Sequence, residues 1–305
     1  MPTITSSAFA KSLWPGVKTW FGHAYKEHSP EWNKLVDVEK SSKAFEEDVS
    51  TRMFGLASVK DEGAPIQYDD MSQEFVTRYI HTVYALGFII TREAHEDALE
   101  GGGLSSLGSV GSKGLAYSMR QTKETVVANL YNRAFDSNYV GGDGLEMCSV
   151  LHLSASGTQS NELNPAADLS EAALEDACIL ISKFVDSRGL NISARPKCLV
   201  IPVDLEFIAN RILNSSLRVD TANNDLNSLK AMGKIPKVET NHYLDDTNNW
   251  FIRTNVANGP KLYQRRRVEF RNDSEFDTEN AKYKATERYS TGWSDWRGIL
   301  GSEAA

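Results

Sequence analysis

The first 45 residues constrain the fold most, because they carry large aromatic side chains in a segment too interrupted to form its own core. Half of the six tryptophans lie here, and glycines and prolines separate the rings: Trp14, Pro15, Gly16, Trp20, Phe21, Gly22, Tyr25, Pro30 and Trp32. Glycine and proline break long helices, and large rings need an apolar surface on which to be buried. Two arrangements satisfy this need equally well: an arm packed on its own domain, or an arm packed on a neighbouring subunit.

The composition indicates a globular protein of about two domains. The chain has 305 residues, 41% of them hydrophobic, and a formal charge of −8. Its mean hydropathy is −0.40, and no stretch approaches the ~18 apolar residues of a membrane span. Residues 1–10 lack a basic segment followed by an apolar core, which argues against a secretory signal.

Cysteine usage and charge exclude further classes. Cys148, Cys178 and Cys198 are widely spaced without a Cys-x-x-Cys pair, so neither a disulfide framework nor a zinc site is predicted and a reducing compartment fits. The acidic balance argues against broad sequence-independent binding of nucleic acid, which needs clustered positive charge.

Between residues 45 and 144 the pattern predicts a hairpin, a strand and a long helix. Residues 45–91 are rich in β-branched and aromatic side chains around a Glu-Gly-Ala-Pro turn at 62–65, which favours a long β-hairpin followed by a buried strand at 86–90. Residues 101–109 read as a Gly/Ser-rich hinge. Apolar residues recurring at three-to-four spacing predict a helix over about 112–136, followed by a glycine loop at 141–144.

The remaining sequence has an α/β pattern and then becomes β-rich. Ser170 is placed to cap a helix, residues 197–202 read as a short buried strand, and a helix is expected after Asp204. Loop composition follows at 214–227. Strands are predicted at 238–243, 250–254, 262–270 and 282–293 from alternation and β-branched or aromatic content.

Known catalytic motifs are incomplete in this sequence. His95-Glu96 lacks the second histidine of a zinc-protease helix, and the glycine-rich stretch 103–114 lacks the Gly-Lys-Ser/Thr of a phosphate loop. There is no Gly-x-Ser-x-Gly nucleophile turn. Cys148 with His152, or His152 with Ser154, are weaker hypotheses than a strand with ordinary polar residues. We therefore assign no catalytic, cofactor-binding or metal-binding residue and expect no enzyme.

Two kinds of charged cluster remain. The carboxylates at 46–48 and at Asp69-Asp70 are interpreted as solvated loop charge, with a cation bound between subunits as the alternative. Arg265, Arg266 and Arg267 are interleaved with acidic residues, which favours ion pairs between strands or between subunits. A weak contact of these arginines with DNA is the minority interpretation.

Ordered strings along nearly the whole chain resemble one family, the major capsid proteins of tailed double-stranded DNA bacteriophages of the Mu-like head-subunit group. The strings are LWPGVKTWFG (13–22), KAFEED (43–48), FGLA (54–57), KDEGAPI (60–66), YALGFIITRE (84–93), SMRQTKE (118–124), NRAF (132–135), GDG (142–144) and ERYSTGW (287–293).

The resemblance implies an α+β, L-shaped subunit of the tailed-phage capsid fold. Its expected parts are an N-terminal arm (1–45), an extended β-hairpin loop (46–92), a peripheral domain with a spine helix (93–144), an axial domain (145–260) and C-terminal strands returning to the peripheral domain (261–305). The expected contacts with neighbouring subunits come from three groups: Trp14, Trp20, Phe21 and Trp32 in the arm, Lys60, Glu62, Ile66 and Tyr68 in the extended loop, and Arg265, Arg266 and Arg267 as ion-pairing residues.

The resemblance also implies a structural function. Such subunits assemble through hexamers and pentamers into an icosahedral head that encloses double-stranded DNA, here with only weak contacts. Expected partners are other copies of the chain, scaffold and portal proteins and decoration proteins, with no membrane. Assembly is expected in the host cytoplasm. The alternative with the same fold is an encapsulin-like nanocompartment shell.

Overall fold

The computed structural model describes residues 18–27, 29–93, 104–154, 157–218, 225–275, 277 and 279–304, without the side chains of 104–107. Trp14 lies outside the described residues. The helices are α1 (18–26), α2 (Trp32–Leu35), α3 (Leu104–Asn132), α4 (Glu171–Ser182), α5 (Glu206–Asn214) and α6 (Ser228–Met232). The strands are β1 (Asp37–Lys40), β2 (Phe45–Arg52), β3 (Ser72–Ile80), β4 (Thr82–Ile90), β5 (His152–Ser154), β6 (Gly157–Gln159), β7 (Pro196–Pro202), β8 (Val238–Asn241), β9 (Trp250–Thr254), β10 (Lys261–Ser274), β11 (Ala281–Gly292) and β12 (Ile299–Ser302).

The first sheet has the strand order β1-β10-β11-β4. β1 runs parallel to β10, and the other two pairs are antiparallel. The alternation predicted in β11 is confirmed: Ala285, Glu287 and Tyr289 are buried, whereas Lys284 is exposed and Thr286 and Arg288 are partly exposed. Since successive side chains of a strand point to opposite faces, one face of this sheet carries the core and the other is open.

The second sheet has the order β12-β9-β7-β8 and is buried on both faces. In β7, Leu199 and Ile201 belong to the cluster that contains α4, whereas Cys198 and Val200 belong to the cluster that contains α3. A strand covered on both faces reads as a continuous apolar run. This explains why residues 197–202 were predicted as a buried strand.

Helix α3 joins the two sheets. Its C-terminal half packs in one cluster with residues of both, including Tyr131 from the helix, Phe251 from β9, and Leu262 and Tyr289 from the first sheet. Its N-terminal half packs Leu115 and Met119 against the first sheet. The cores of both halves of the molecule are therefore continuous through this helix.

The helix occupies Leu104–Asn132 rather than about 112–136, so the predicted hinge at 101–109 is partly helical. Glycine costs about 1 kcal/mol in a helix interior, which favoured a hinge. At Gly111 tertiary packing overrides this cost, because a Cβ there would lie 2.8 Å from the Phe88 ring. The missing side chain lets the aromatic ring approach the helix backbone.

Two further expectations differ from the structure. The hairpin consists of β2 and β3, whereas β4 belongs to the first sheet through β11 and leaves Val83 and Ile89 exposed rather than forming a buried strand. At the C-terminus the strands expected to return together are divided between the sheets: β10 and β11 lie in the first sheet, whereas β12 pairs with β9 in the second. Ile299 and Leu300 point to opposite faces of the second sheet and are fully buried there. Burial of both side chains explains why β12 lies in this sheet, which is covered on both faces.

A buried ion pair fastens α3 to β11. Lys123 Nζ lies 2.6 Å from Glu287 Oε1, and these side chains are 2% and 1% exposed. Gln264 Nε2 donates to the same carboxylate oxygen at 2.8 Å. The Lys123 ammonium also lies 4.1 Å from the centre of the Trp32 ring. Burial lowers the pKa of Lys123, and the adjacent Glu287 carboxylate opposes this shift.

A second polar cluster pins the base of the β2–β3 hairpin. His81, between β3 and β4, is 5% exposed. Its Nε2 lies 2.9 Å from Ser41 Oγ, and its Nδ1 lies 3.0 Å from Ser290 Oγ. Because Ser41 Oγ donates to Glu46 Oε1 at 2.7 Å, we infer that Nε2–H donates to Ser41 and that Nδ1 accepts from the Ser290 hydroxyl. This arrangement fits a neutral imidazole.

The buried pair generates a stability prediction. Lys123→Met should lower the free energy of unfolding of the unassembled subunit by about 3–5 kcal/mol, because it leaves the Glu287 carboxylate buried without its cation. Adding Glu287→Leu should recover part of this loss, since no unpaired charge remains. Urea unfolding measures both, with Lys113→Met on the exposed side of α3 as the control. A double variant that loses as much as the two single variants together would contradict the prediction.

His81 generates a prediction of pH dependence. Burial lowers its pKa from 6.5, Arg288 and Arg265 lower it further, and Glu46 opposes them. The folded state therefore takes up a proton at His81 only at a lower pH than the unfolded chain, which is protonated as the pH falls below about 6.5. The free energy of unfolding should decrease on acidification, with a slope from this group of at most ~1.4 kcal/mol per pH unit.

Urea titrations at several pH values test this. His81→Gln should flatten the dependence between pH ~5 and ~7, whereas His23→Gln, at an exposed position of α1, should retain it. A His81→Gln profile that coincides with the wild-type profile would contradict the assignment.

Candidate assembly surface

The loop that connects β2 to β3, residues 53–71, exposes large apolar side chains. Leu56 is 84% exposed, Val59 96% and Tyr68 85%, and Ile66 is also largely exposed. Lys60 and Glu62 lie exposed at its tip, where Ala64 N donates to Asp61 O at 3.1 Å and Gly63 takes a φ of +77°. All four residues predicted as loop contacts are therefore accessible. Clustered apolar side chains in water mark a contact surface.

The hairpin that carries this loop is attached to the first sheet through Asp48. Asp48 accepts hydrogen bonds from Lys261 Nζ at 2.5 Å and Ser294 Oγ at 2.6 Å through Oδ2, and from Tyr263 OH at 2.9 Å through Oδ1. Burial would raise the pKa of Asp48, but these hydrogen bonds and the Lys261 charge outweigh it and lower the pKa. A carboxylate expected to be solvated is thus a structural anchor.

The other predicted carboxylate pair also has a protein partner. Asp69 accepts from Gly55 N at 2.8 Å and from Arg188 Nη2 at 3.0 Å. The backbone amides of Gly55 and Asp70 lower the pKa of Asp69, and Arg188 adds to this shift. Among the described residues, no group of three or more His, Cys, Asp or Glu side chains is arranged to hold a metal ion.

The arm residues within the described range pack on their own chain. Phe21, on α1, is 5% exposed and stacks on Phe270 with ring centroids 4.8 Å apart. Trp20 lies partly buried against the same cluster, and Trp32 packs on the cluster around Tyr131. Of the two arrangements left open by the sequence, packing on the same chain accounts for the burial of Phe21.

Glu124 on α3 fastens the arm. Its carboxylate accepts hydrogen bonds from the backbone amides of Glu31 at 3.0 Å and Trp32 at 2.7 Å. Burial raises the pKa of Glu124, and the two amide hydrogen bonds oppose the shift. The arm is therefore held to the long helix by hydrogen bonds from its backbone amides to the Glu124 carboxylate, as well as by aromatic packing.

The open face of the first sheet is basic. Lys282, Lys284 and Arg288 on β11 pair in register with residues of β4 and β10 that share this face. The strand residues of this face are five cations and two carboxylates: Arg266, Arg271, Lys282, Lys284, Arg288, Glu269 and Asp273. A third carboxylate, Glu275 just beyond β10, pairs with Lys282 Nζ at 2.6 Å, so cations remain in excess. Exposed Val83 and Ile89 of β4 border it.

The arginine cluster lies at an irregular part of β10, where the pairing register shifts between Gln264 and Glu269. All three arginines are exposed. Arg265 Nε donates to Lys43 O at 3.0 Å, and Arg266 Nη2 donates to Thr286 Oγ1 at 3.2 Å. Their guanidinium groups thus retain donors toward solvent.

The histidine considered as a catalytic candidate is part of the core. His152 is fully buried and stacks on Trp296 with ring centroids 4.5 Å apart. Its Nδ1 lies 2.6 Å from Asp143 Oδ2, and its Nε2 lies 3.1 Å from Asn161 Oδ1. Both ring nitrogens face oxygen atoms inside the protein, so this histidine links the loop of Asp143 to Asn161 and Trp296 in the core.

Sequence reasoning identified the exposed loop but missed the residues that hold it. Asp48 and Ser294 are 246 positions apart, and Asp69 and Arg188 are 119 apart, so no local pattern connects them. The basic face did leave a signal, since Lys282, Lys284 and Arg288 all fall at even spacing in a predicted strand.

In the part of the chain that the structure describes, no helix is long and apolar enough to cross a membrane. Comparison with curated proteins finds no match. Several solved structures share the fold. A virus-like particle from Pyrococcus furiosus matches with a TM-score of 0.54 at 9% identity, covering 94% of this chain and 98% of that one.

Two phage structures are similar to the same extent. One is described as Mycobacterium phage Patience, with a TM-score of 0.53 at 11% identity, covering 99% of this chain and 90% of that one. The other is the capsid of Ralstonia phage GP4, with a TM-score of 0.54 at 11% identity, covering 89% and 87%. A family model described as phage capsid protein matches residues 75–301. Because that match covers most of the 305-residue chain, the chain belongs to the phage capsid protein family and is a shell protein of a virion.

Proposed function

We propose that this chain is the major head subunit, whose copies form hexamers and pentamers that close an icosahedral shell around double-stranded DNA. The observation that carries the proposal is the 53–71 loop, which exposes apolar side chains on a hairpin anchored to a capsid-family body. Such side chains gain about 25 cal/mol per Å² when buried. Since they are not buried on their own chain, another copy is the surface available in a shell made of identical subunits.

The proposed docking site for the loop is the basic face of the first sheet of a neighbouring copy. Residues 45–80 carry eight carboxylates against three cations, whereas the basic face carries an excess of cations beside exposed Val83 and Ile89. The two surfaces therefore carry opposite charge, and each offers exposed apolar side chains to the other. Electrostatic complementarity of this kind selects orientation and register as well as partner.

This contact joins different surfaces of two identical subunits. Such head-to-tail contacts close into rings when the rotation between copies divides a full turn. A hairpin held at a defined angle to its own sheet also defines the angle between neighbours. Rings of six and five copies are therefore the assemblies that we propose.

The charge of the subunit suits a container for DNA. A net charge of −8 disfavours the many phosphate contacts that retain a nucleic acid. We propose that the shell encloses DNA with weak contacts, acts structurally rather than as an enzyme, and assembles in the host cytoplasm. Scaffold, portal and decoration proteins are its proposed further partners.

The alternative is an encapsulin-like compartment for protein cargo. The fold alone does not separate the two kinds of shell, since the chain shares its fold with a virus-like particle as well as with phage capsids. The family match to phage capsid protein favours the phage shell. Negative-stain microscopy of the purified protein, with nucleic-acid analysis of native particles, separates the hypotheses. DNA-containing shells support the proposal, whereas enzyme-filled shells or monomers under all conditions contradict it.

The apolar loop generates a first prediction. The double variant Leu56→Ser, Tyr68→Ser should fold with a free energy of unfolding within about 0.5 kcal/mol of wild type, since both side chains are exposed. It should raise the critical concentration for shell formation more than tenfold, because each buried side chain of this size contributes about 1.5–3 kcal/mol.

Light scattering and microscopy measure this effect. Met232→Ser, which removes a similarly exposed apolar side chain outside the loop, is the matched control and should assemble normally. Wild-type shell yield from the double variant would contradict the assigned contact.

The basic face generates a second prediction. Lys284→Glu should weaken assembly, and the defect should be larger at ~50 mM than at ~500 mM salt, since salt screens charges separated by more than a few ångströms. Lys234→Glu makes the same charge change at an exposed position near the end of α6 and should have the smaller effect. Equal defects in the two variants at both salt concentrations would contradict a specific role of this face.

A further inference from the structure

The pairing between β2 and β3 ends well before the loop tip. Its last pair is Arg52 with Ser72, and residues 53–71 form no further ladder. Two limbs of the loop, 53–56 and 68–71, therefore leave the hairpin without backbone pairing between them. Chain of this kind loses about 1–2 kcal/mol of conformational entropy per residue when it is ordered. Something else has to order the limbs if docking is to be favourable.

One guanidinium group bridges both limbs. Arg188 Nε donates to Met53 O at 2.9 Å on the first limb. Its Nη2 donates to Asp70 O at 2.8 Å and to Asp69 Oδ1 at 3.0 Å on the second. The planar fork of arginine holds such a set of acceptors in one geometry. Arg188 thus links the two limbs where the backbone hydrogen bonds between β2 and β3 have ended.

Asp69 completes the bridge from the loop side. Its Oδ2 accepts from Gly55 N at 2.8 Å on the opposite limb, while Oδ1 receives Arg188. The two limbs are therefore linked to each other and to the same arginine. Removing either the carboxylate or the guanidinium removes a link between all three segments.

The arginine itself projects from a braced turn of the protein body. Asp186 Oδ1 accepts from the amides of Arg188 and Leu190, both at 2.8 Å, and Gly189 takes a φ of +84°. Arg297 Nε donates to Val185 O at 2.8 Å, which ties the turn to the C-terminal segment. The Arg188 side chain is only 17% exposed. Arg188 consequently attaches the 53–71 loop to the protein body at a second place, separate from the His81 cluster at the hairpin base.

We infer that Arg188 is a positioning residue for shell assembly, which holds both limbs of the 53–71 loop in the direction that docks on a neighbouring copy. The inference rests on the proposed function of the loop. The carboxylates that face Arg188 are accessible to solvent, with Asp69 38% and Asp70 93% exposed, and ion pairs at the surface contribute only about 0–1 kcal/mol to folding. The main effect of Arg188 is therefore on the order of the loop before docking, since preorganisation lowers the cost of association.

The test compares Arg188→Ala with Arg195→Ala, which removes an exposed guanidinium from the same connection. In the unassembled subunit, Arg188→Ala should speed hydrogen exchange of amides in 53–56 and 69–71 and leave the urea midpoint near that of wild type. Its critical concentration for assembly should rise roughly tenfold, equivalent to about 1.4 kcal/mol. Asp69→Ala should reproduce both effects, and Arg188→Lys should restore them in part.

Unchanged loop exchange and unchanged assembly in Arg188→Ala would overturn the inference, as would an equal defect in Arg195→Ala. Faster exchange with normal assembly would also overturn it, because the loop would then be ordered without consequence. If Leu56→Ser, Tyr68→Ser assembles normally, the proposed loop contact fails. If that variant is impaired while Arg188→Ala is normal, only the role of Arg188 fails.

Discussion

The rest of the molecule depends on the burial of helix α3 between two sheets. Tyr131 contacts Phe251 of the second sheet with ring centroids 5.3 Å apart, in the cluster that also holds Tyr289 of the first. Tyr131 OH donates to Leu35 O at 2.5 Å, so the helix also holds the end of the arm. Because protein cores are close-packed, the two sheets, the arm and the helix can move little relative to one another.

Because this body is closely packed, contacts with it can fix the direction of the β2–β3 hairpin. Three polar anchors set its direction: the His81 cluster at its base, Asp48 along β2, and Arg188 at the loop. Apolar contacts adapt to small rotations, whereas hydrogen bonds weaken steeply with angle. In the contact that we propose, these polar anchors therefore define the angle at which the apolar loop meets a neighbour, and that angle determines the curvature of the shell.

Much of the architecture was predictable, because the relevant signals are local. The Ser170 cap is confirmed, with Ser170 Oγ accepting from Ala173 N at 3.2 Å, and Trp250–Thr254 forms the predicted strand. The helix start at Leu104 and the pairing of β12 with β9 were not predictable, since Gly111 against Phe88 and the burial of Ile299 are contacts distant in sequence. Local propensity is a weak prior that such contacts override.

The sequence by itself determined that aromatic and apolar side chains of the first 90 residues had to find a surface, and the resemblance indicated a shell. Only the tertiary structure decided which surface. Phe21 is buried on its own chain, whereas Leu56 and Tyr68 are left in water. The physical reason is that hydrophobic burial is non-directional. Composition indicates that apolar area must be covered, but only the packed positions of distant elements show which part of it the chain covers and which part it leaves exposed.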